Sequence, residues 1–203
     1  HISTIEGGFV VTDDDDLYET MMSIRSHGWS RDLKKDAQEA LQQEHKVDDF
    51  RNLYTFYHPG FNLRATDLQA FIGQSQVKKL PEIVSIRQQN FELYAGLLDG
   101  YFQQTSDANV LSAFAYGTLV ENPLEVSKFL TKHGVECRPL ICGNIARHPF
   151  WETTPNDINL VNANIVHDFG MYLPIHANMG ADEINYVAEL FCAKATPFLL
   201  REK

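Results

Sequence analysis

Hydrophobic positions change period several times along this chain, and each change predicts an element. The opening run, His1-Ile2-Ser3-Thr4-Ile5-Glu6-Gly7-Gly8-Phe9-Val10-Val11-Thr12, sets two β-prone stretches around an acidic residue and paired glycines, the pattern of a tight hairpin. Asp13 to Asp16 follow, then Leu17, Met21 and Ile24 at helical spacing. These predict a helix capped by Thr12 or Asp13, with the acidic cluster at the positive end of its dipole. Adjacent aspartates splay around a helix axis, so a convergent metal cage is the weaker reading of the same four residues. Gly28 stops the helix and leaves residues 26–31, Ser-His-Gly-Trp-Ser-Arg, as a loop with aromatic and cationic candidates.

Residues 32–49 are polar, and Ala37, Ala40 and Leu41 support at most a short, weakly amphipathic helix. A mobile flap and a solvated surface insertion both fit that stretch. Leu53, Tyr54, Phe56 and Tyr57 form an aromatic concentration that predicts packing, and Pro59-Gly60 predicts a turn before an extended run to Arg64. Thr66 or Asp67 is the expected cap of the next helix, whose buried stripe reads Leu68, Phe71, Ile72 and Leu80. Pro81 lacks an amide proton, so it is expected to kink that helix or to begin another. Ile83, Ile86, Asn90, Tyr94 and Leu97 then share one side, and Gly100 ends the pattern.

Residues 103–109 are a polar connector and mark the expected boundary between residues 1–103 and 104–203. Residues 111–121 read as a strand. Asn122-Pro123-Leu124-Glu125 is a helix start, with asparagine as cap, proline at the first helical position and a glutamate placed to return a hydrogen bond. Val126, Phe129 and Leu130 supply that helix's apolar face, and Gly134 ends it. Residues 135–139 form the next strand, and a terminal helix carries Ile184, Val187 and Phe191. Strand, helix, strand and helix in series predict a small α/β layer.

Composition narrows the function classes. The 203 residues are 44% hydrophobic and 22% charged, ordinary for a globular protein. A net charge of −10 with no basic run argues against nucleic acid as a partner, because backbone phosphates require a Lys/Arg surface. A nucleotide held by a few local cations stays compatible. The cysteines number three and lack CxxC spacing, which disfavours a disulfide framework or zinc site and suits a reducing cytoplasm. His1, His27, His58, His148, His167 and His176 lack ligand spacing, so no metal is expected. No apolar run approaches a bilayer span.

Candidate chemistry is sparse on spacing alone. In a period-two strand Glu136 and Arg138 share one face while Val135 and Cys137 take the other. That places a carboxylate and a guanidinium together, either as a surface ion pair of small value or as a recognition pair. Asn62 and Arg64 fit equally a turn asparagine with a capping arginine, or an uncharged phosphate donor with a forked anion contact.

The His-Ile-Ser-Thr-Ile-Glu-Gly-Gly opening resembles the segment after the cofactor-bearing lysine in the pyridoxal-phosphate sugar aminotransferases of the DegT/DnrJ/EryC1/StrS family. Pro59-Gly60-Phe61-Asn62-Leu63-Arg64 resembles that family's Gly-(Tyr/Phe)-Asn-x-Arg motif. Gly134-Val135-Glu136-Cys137-Arg138-Pro139 with Gly143-Asn144 is similar to a segment of the GDP-4-keto-6-deoxymannose 3-dehydratase branch. Leu173-Pro174-Ile175-His176-Ala177-Asn178 looks more like the aminotransferase branch.

The resemblance implies a fold-type I, aspartate aminotransferase-like α/β architecture. Residues 1–103 would complete the large cofactor domain and its interdomain helices, and residues 104–203 would form the small domain. The reacting lysine or histidine is expected immediately before His1, so this chain is expected to be the C-terminal part of a longer polypeptide, inactive alone. A lysine there implies amino transfer. A histidine implies general-base removal of the C3 hydroxyl of a 4-keto-6-deoxy sugar with pyridoxamine phosphate, and the opening pattern favours this dehydratase. His1 itself is assigned no catalytic part. The resemblance further implies that Asn62 reaches the cofactor phosphate across a homodimer interface, and that Arg64 binds an anionic substrate group. It places Arg31 and Tyr54 at the nucleotide-diphosphate sugar as charge partner and stacking surface. Glu136, with Arg138 and Asn144, would serve guanine recognition, since a carboxylate can accept the N1 and N2 donors together. A non-catalytic dimerisation or sugar-binding role stands as the alternative of another class.

Overall fold

The computed structural model describes residues 1–151 and 160–199. Contacts gather residues 2–78 into one compact unit, and residue 1 with residues 79–203 into a second.

In the first unit, helix α1 (Asp15–Ile24) begins where Asp14 Oδ1 accepts the Leu17 amide at 2.9 Å, so the capping residue lies one position beyond those expected. Thr12 supports it by accepting from the Asp14 amide at 3.1 Å. Residues 32–49 hold more structure than their composition suggested. Helix α2 (Lys35–His45) ends at Lys46 with φ 55°, and the short α3 (Asp49–Asn52) follows, capped by Asp48. No residue of α2 is buried, which is why hydrophobic period gave a weak signal there.

Two expectations fail in this unit. The opening residues form no hairpin: none of residues 1–13 is in a strand, and Phe9 is 93% exposed. A two-stranded ribbon is marginal on its own, and the segment is instead tied to the Gln69 side chain, whose Nε2 donates to Glu6 O at 2.7 Å. The aromatic concentration is also not packed inside, since Phe50, Leu53, Tyr54 and Phe56 are all exposed.

Helix α4 (Asp67–Leu97) runs through the unit boundary. Thr66 caps it reciprocally: Thr66 Oγ1 accepts from the Gln69 amide at 3.3 Å while Gln69 Oε1 accepts from the Thr66 amide at 3.0 Å. Pro81 begins no new helix but lies inside α4, which excludes one of its two expected roles. A proline forfeits one bond, to the carbonyl four residues back, and the flanking turns continue. The anticipated stripe is also wrong at its start, because Leu68 and Phe71 are exposed. The buried face belongs to the second half, with Arg87, Asn90 and Tyr94, and continues to Leu98.

The second unit is built on an antiparallel sheet of β1 (Tyr116–Leu119), β2 (Arg138–Pro139) and β3 (Gly170–Leu173), in the order β1-β3-β2. Tyr116 faces Leu173, and Arg138 faces Tyr172. Helices α5 (Pro123–Lys132) and α7 (Ala181–Lys194) enclose a core of Tyr94, Tyr116, Val126, Leu130, Ile184 and Phe191. Proline does stand first in α5, and Asn122 is its N-cap residue, but the Asn122 side chain makes no capping bond. Its amide instead ties two chain segments, donating to Lys194 O at 3.1 Å and accepting from the Thr196 amide at 2.9 Å. Glu125 pairs with Lys194 at 3.1 Å. Both strands read from sequence are shorter than expected, and the central strand β3 with its preceding helix α6 (Val161–Phe169) was missed. Val161, Ile165 and Phe169 recur every fourth residue, which is the signal that marked α6. Among the described residues, no helix is long and apolar enough to cross a membrane.

Candidate functional site

In the first unit the candidate residues gather on the loop after α1. Gly28 has φ +85°, and a Cβ built on it would lie 1.8 Å from the His58 carbonyl oxygen. Gly60 is equally intolerant, since its Cβ would stand 2.3 Å from the Gly28 amide nitrogen. The two chain segments therefore cross backbone against backbone, which only glycine permits. Four main-chain bonds hold the crossing, and a fifth, from Gly28 to Ser23, closes the first segment on itself. Phe61 N–H donates to Ile24 O at 2.8 Å, His27 N–H to Phe61 O at 2.7 Å, Leu63 N–H to Arg25 O at 2.9 Å, Gly28 N–H to Ser23 O at 2.9 Å and Tyr57 N–H to Gly28 O at 2.8 Å. Asn62 forms an isolated bridge with Ser26 at this point. Its backbone is thereby fixed, while its carboxamide is exposed and makes no hydrogen bond to the described residues. Arg64 is exposed as well.

Arg31 and Tyr54 are brought together. The Arg31 guanidinium carbon lies 4.2 Å from the Trp29 ring centroid and 4.9 Å from that of Tyr54, and Nη2 donates to the Leu53 carbonyl. The two rings meet edge-on at 5.9 Å and 86°. Trp29 is backed by Phe56 at 5.6 Å and His27 at 5.0 Å. Beneath them Asn52 Oδ1 accepts from Ser30 Oγ at 3.2 Å and Tyr57 OH at 2.7 Å. Sequence reading noted Trp29 as a loop aromatic without assigning it a part.

In the second unit Glu136 and Arg138 do share one exposed face, while Val135 is buried and Cys137 partly so. Arg138 places both Nε, at 2.9 Å, and Nη2, at 2.5 Å, on the same oxygen, Glu136 Oε1. This pairing raises the Arg138 pKa and leaves Glu136 Oε2 outside the fork. Arg138 also lines a cleft of about 230 Å³ with Leu124, Ser127, Pro139, His167 and Met171.

Asn144 is placed differently. It is 3% exposed, and both ends of its amide are engaged: Oδ1 accepts from the Ala146 amide at 3.0 Å and Nδ2 donates to Asn164 Oδ1 at 2.8 Å. Its backbone N–H donates to His167 Nδ1 at 3.2 Å. The side chain shapes the turn that follows β2. His1 Nε2 lies 2.9 Å from the Ser112 carbonyl oxygen. Among the described residues no three His, Cys, Asp or Glu side chains group as a metal site would require.

The model of the DegT/DnrJ/EryC1/StrS aminotransferase family matches residues 1–191. The chain belongs to this family. It is 30% identical over 202 residues to a GDP-4-keto-6-deoxy-D-mannose 3-dehydratase of Escherichia coli O55:H7, covering 94% of this chain and 51% of that protein. It is 33% identical over 155 residues to the protein of the same description from Yersinia pseudotuberculosis, covering 73% of this chain and 39% of that one. Among solved structures it is similar to the E. coli GDP-4-keto-6-deoxy-D-mannose-3-dehydratase with bound hydrated PLP, at a TM-score of 0.74 and 28% identity, over 93% of this chain and 51% of that chain. The fold is thus that of the family's α/β PLP enzymes, and this chain spans about half the length of the relatives it matches.

Proposed function

We propose that this chain supplies the C-terminal part of an enzyme using pyridoxal or pyridoxamine phosphate on a nucleotide-linked 4-keto-6-deoxy sugar. The reaction is loss of the C3 hydroxyl, in polysaccharide or deoxysugar biosynthesis in the cytoplasm. In this reading residues 1–103 complete the cofactor domain and residues 104–203 form the small domain. The observation that carries it is the His-Ile-Ser-Thr-Ile-Glu-Gly-Gly opening in a chain 30% identical to a 3-dehydratase over 94% of its length.

The residues present fit such a cofactor at one point. Asn62 offers an exposed, uncommitted amide on a fixed backbone, and a neutral N–H donor suits a phosphate oxygen without adding charge. Bound, the cofactor would act as an electron sink, while the protein orients substrate and transfers protons. Asn62 serves the cofactor of a second copy, so the enzyme is a homodimer. The exposed Phe50, Leu53, Phe56, Phe61, Leu63, Leu68 and Phe71 support a covered surface in the same unit.

Arg31, exposed and held beside two rings, meets the diphosphate, and Tyr54 supplies a stacking face. Arg64 takes a further anionic group of the substrate. Glu136 reads guanine, and Arg138 orients it through the shared Oε1. Asn144 acts on this group only through the turn it caps. A second reading, amino transfer, is favoured by the Leu173–Asn178 stretch.

The test uses the full-length protein with GDP-4-keto-6-deoxymannose, pyridoxal phosphate and glutamate. Dehydration yields a product lacking the C3 hydroxyl by mass spectrometry. A product with an added amine supports the second reading, and absence of both refutes the proposal. Asn62→Ala is expected to reduce the cofactor absorption retained after gel filtration; unchanged retention removes the cross-subunit role.

A further inference from the structure

The cluster around Arg31 contains a residue to which neither the family resemblance nor the proposed chemistry gives a part. Trp29 is half-buried, with its indole face 4.2 Å from the Arg31 guanidinium carbon. It is fixed from behind by Phe56 and His27, and from the side by the edge of Tyr54. Its Nε1 is buried and has no hydrogen-bond partner among the described residues, so packing and not its polar atom holds the ring there. The chain enters this residue from Gly28, whose φ of +85° sets the loop's direction.

An arginine without such support samples many rotamers, and ordering a long side chain costs entropy at each binding event. Here one N–H group is committed to Leu53 O and the guanidinium carbon stands over the Trp29 and Tyr54 rings. A cation held over π faces keeps its remaining N–H donors for an anion, which a guanidinium can meet as a fork. We infer that Trp29 is the positioning residue for Arg31, holding its guanidinium ready for the diphosphate of a nucleoside-diphosphate ligand. Trp29 itself touches no ligand atom in this role. The inference rests on the diphosphate role proposed for Arg31 and deepens it.

The experiment measures GDP and GMP affinity by calorimetry on full-length protein carrying Trp29→Leu, Trp29→Phe, Arg31→Gln and the double change Trp29→Leu/Arg31→Gln. Trp29→Leu is expected to weaken GDP about fivefold, the scale of one solvent-exposed cation–π contact. GMP should be affected less, and Trp29→Phe, which keeps a π face and discards the idle N–H, should restore most of the loss. The double variant should bind GDP no worse than Arg31→Gln alone.

If Arg31→Gln leaves GDP affinity unchanged, the diphosphate role fails and this inference with it. If Arg31→Gln weakens GDP while Trp29→Leu does not, or if the two losses add in the double variant, the positioning role alone is overturned. Should Trp29→Leu not fold, Trp29→Phe carries the test: it must keep most of the parent's GDP affinity, and a loss as deep as that of Arg31→Gln overturns the role.

Discussion

Gly28→Ala is the sharpest perturbation of the loop that carries Trp29 and Arg31. The new methyl would have to occupy a point 1.8 Å from His58 O and 2.8 Å from His58 C, both backbone atoms that cannot swing aside. A φ of +85° adds a further cost for an L-residue, about 1–2 kcal/mol. Forced overpacking contributes roughly 1–3 kcal/mol. Displacement breaks the 2.8 Å bond from Tyr57 N–H to Gly28 O, with a net loss of about 1 kcal/mol. The expected destabilisation of the first unit is therefore about 3–6 kcal/mol, enough to unfold a marginal unit outright.

The assay is urea unfolding followed by the fluorescence of Trp29 in a Trp151→Phe background, since the chain holds two tryptophans. With a slope of about 1–2 kcal/mol per molar urea, the midpoint should fall by at least 1.5 M or so. Gly8→Ala is the control, because nothing lies within 4 Å of its added Cβ, and it should stay within about 0.5 kcal/mol of the parent. A Gly28→Ala loss below about 1 kcal/mol would refute the backbone crossing.

Asn144→Ala should cost about 1–2 kcal/mol, from a lost cap and the lost bond to Asn164, in urea unfolding of the full chain. Unchanged stability with weakened nucleotide binding would instead make Asn144 a ligand contact. Tyr94 and Tyr116 are both pushed upward by burial, Tyr116 to about 12. A raised phenol favours the folded state below its unfolded value near 10, and that contribution is lost as pH rises through the folded value. Absorbance at 295 nm should accordingly show these two tyrosines ionising only with the loss of near-ultraviolet circular dichroism. Their ionisation near pH 10 in a chain that stays folded would overturn the buried placement. Replacing Glu136 by glutamine should weaken GDP more than other nucleoside diphosphates, and equal losses for all of them would remove the base-reading role.

Local chemistry was legible wherever it acted over a few residues. The proline at the head of α5, the apolar face of Val126 and Leu130, the turn at Gly134 and the buried row Ile184, Val187 and Phe191 all follow from spacing. So does the pairing of Glu136 with Arg138, since alternation along an extended chain puts second neighbours on one side. The family motifs around Asn62 and Glu136 were visible for the same reason, being contiguous.

What the sequence left open depends on distant partners. Whether residues 1–13 pair, whether Leu68 and Phe71 face inward and whether Pro81 breaks α4 are each decided by neighbours that a local pattern does not name. The central strand β3 escaped because four residues bordered by β1 and β2 become a strand only through those pairings. Asn122 reads as a cap until Lys194 and Thr196 arrive to claim its amide. The setting of Arg31 and Trp29 against Tyr54 joins positions more than twenty residues apart. Folding brings those rings within reach through the glycine crossing at residues 28 and 60, where two backbones meet closer than any side chain allows.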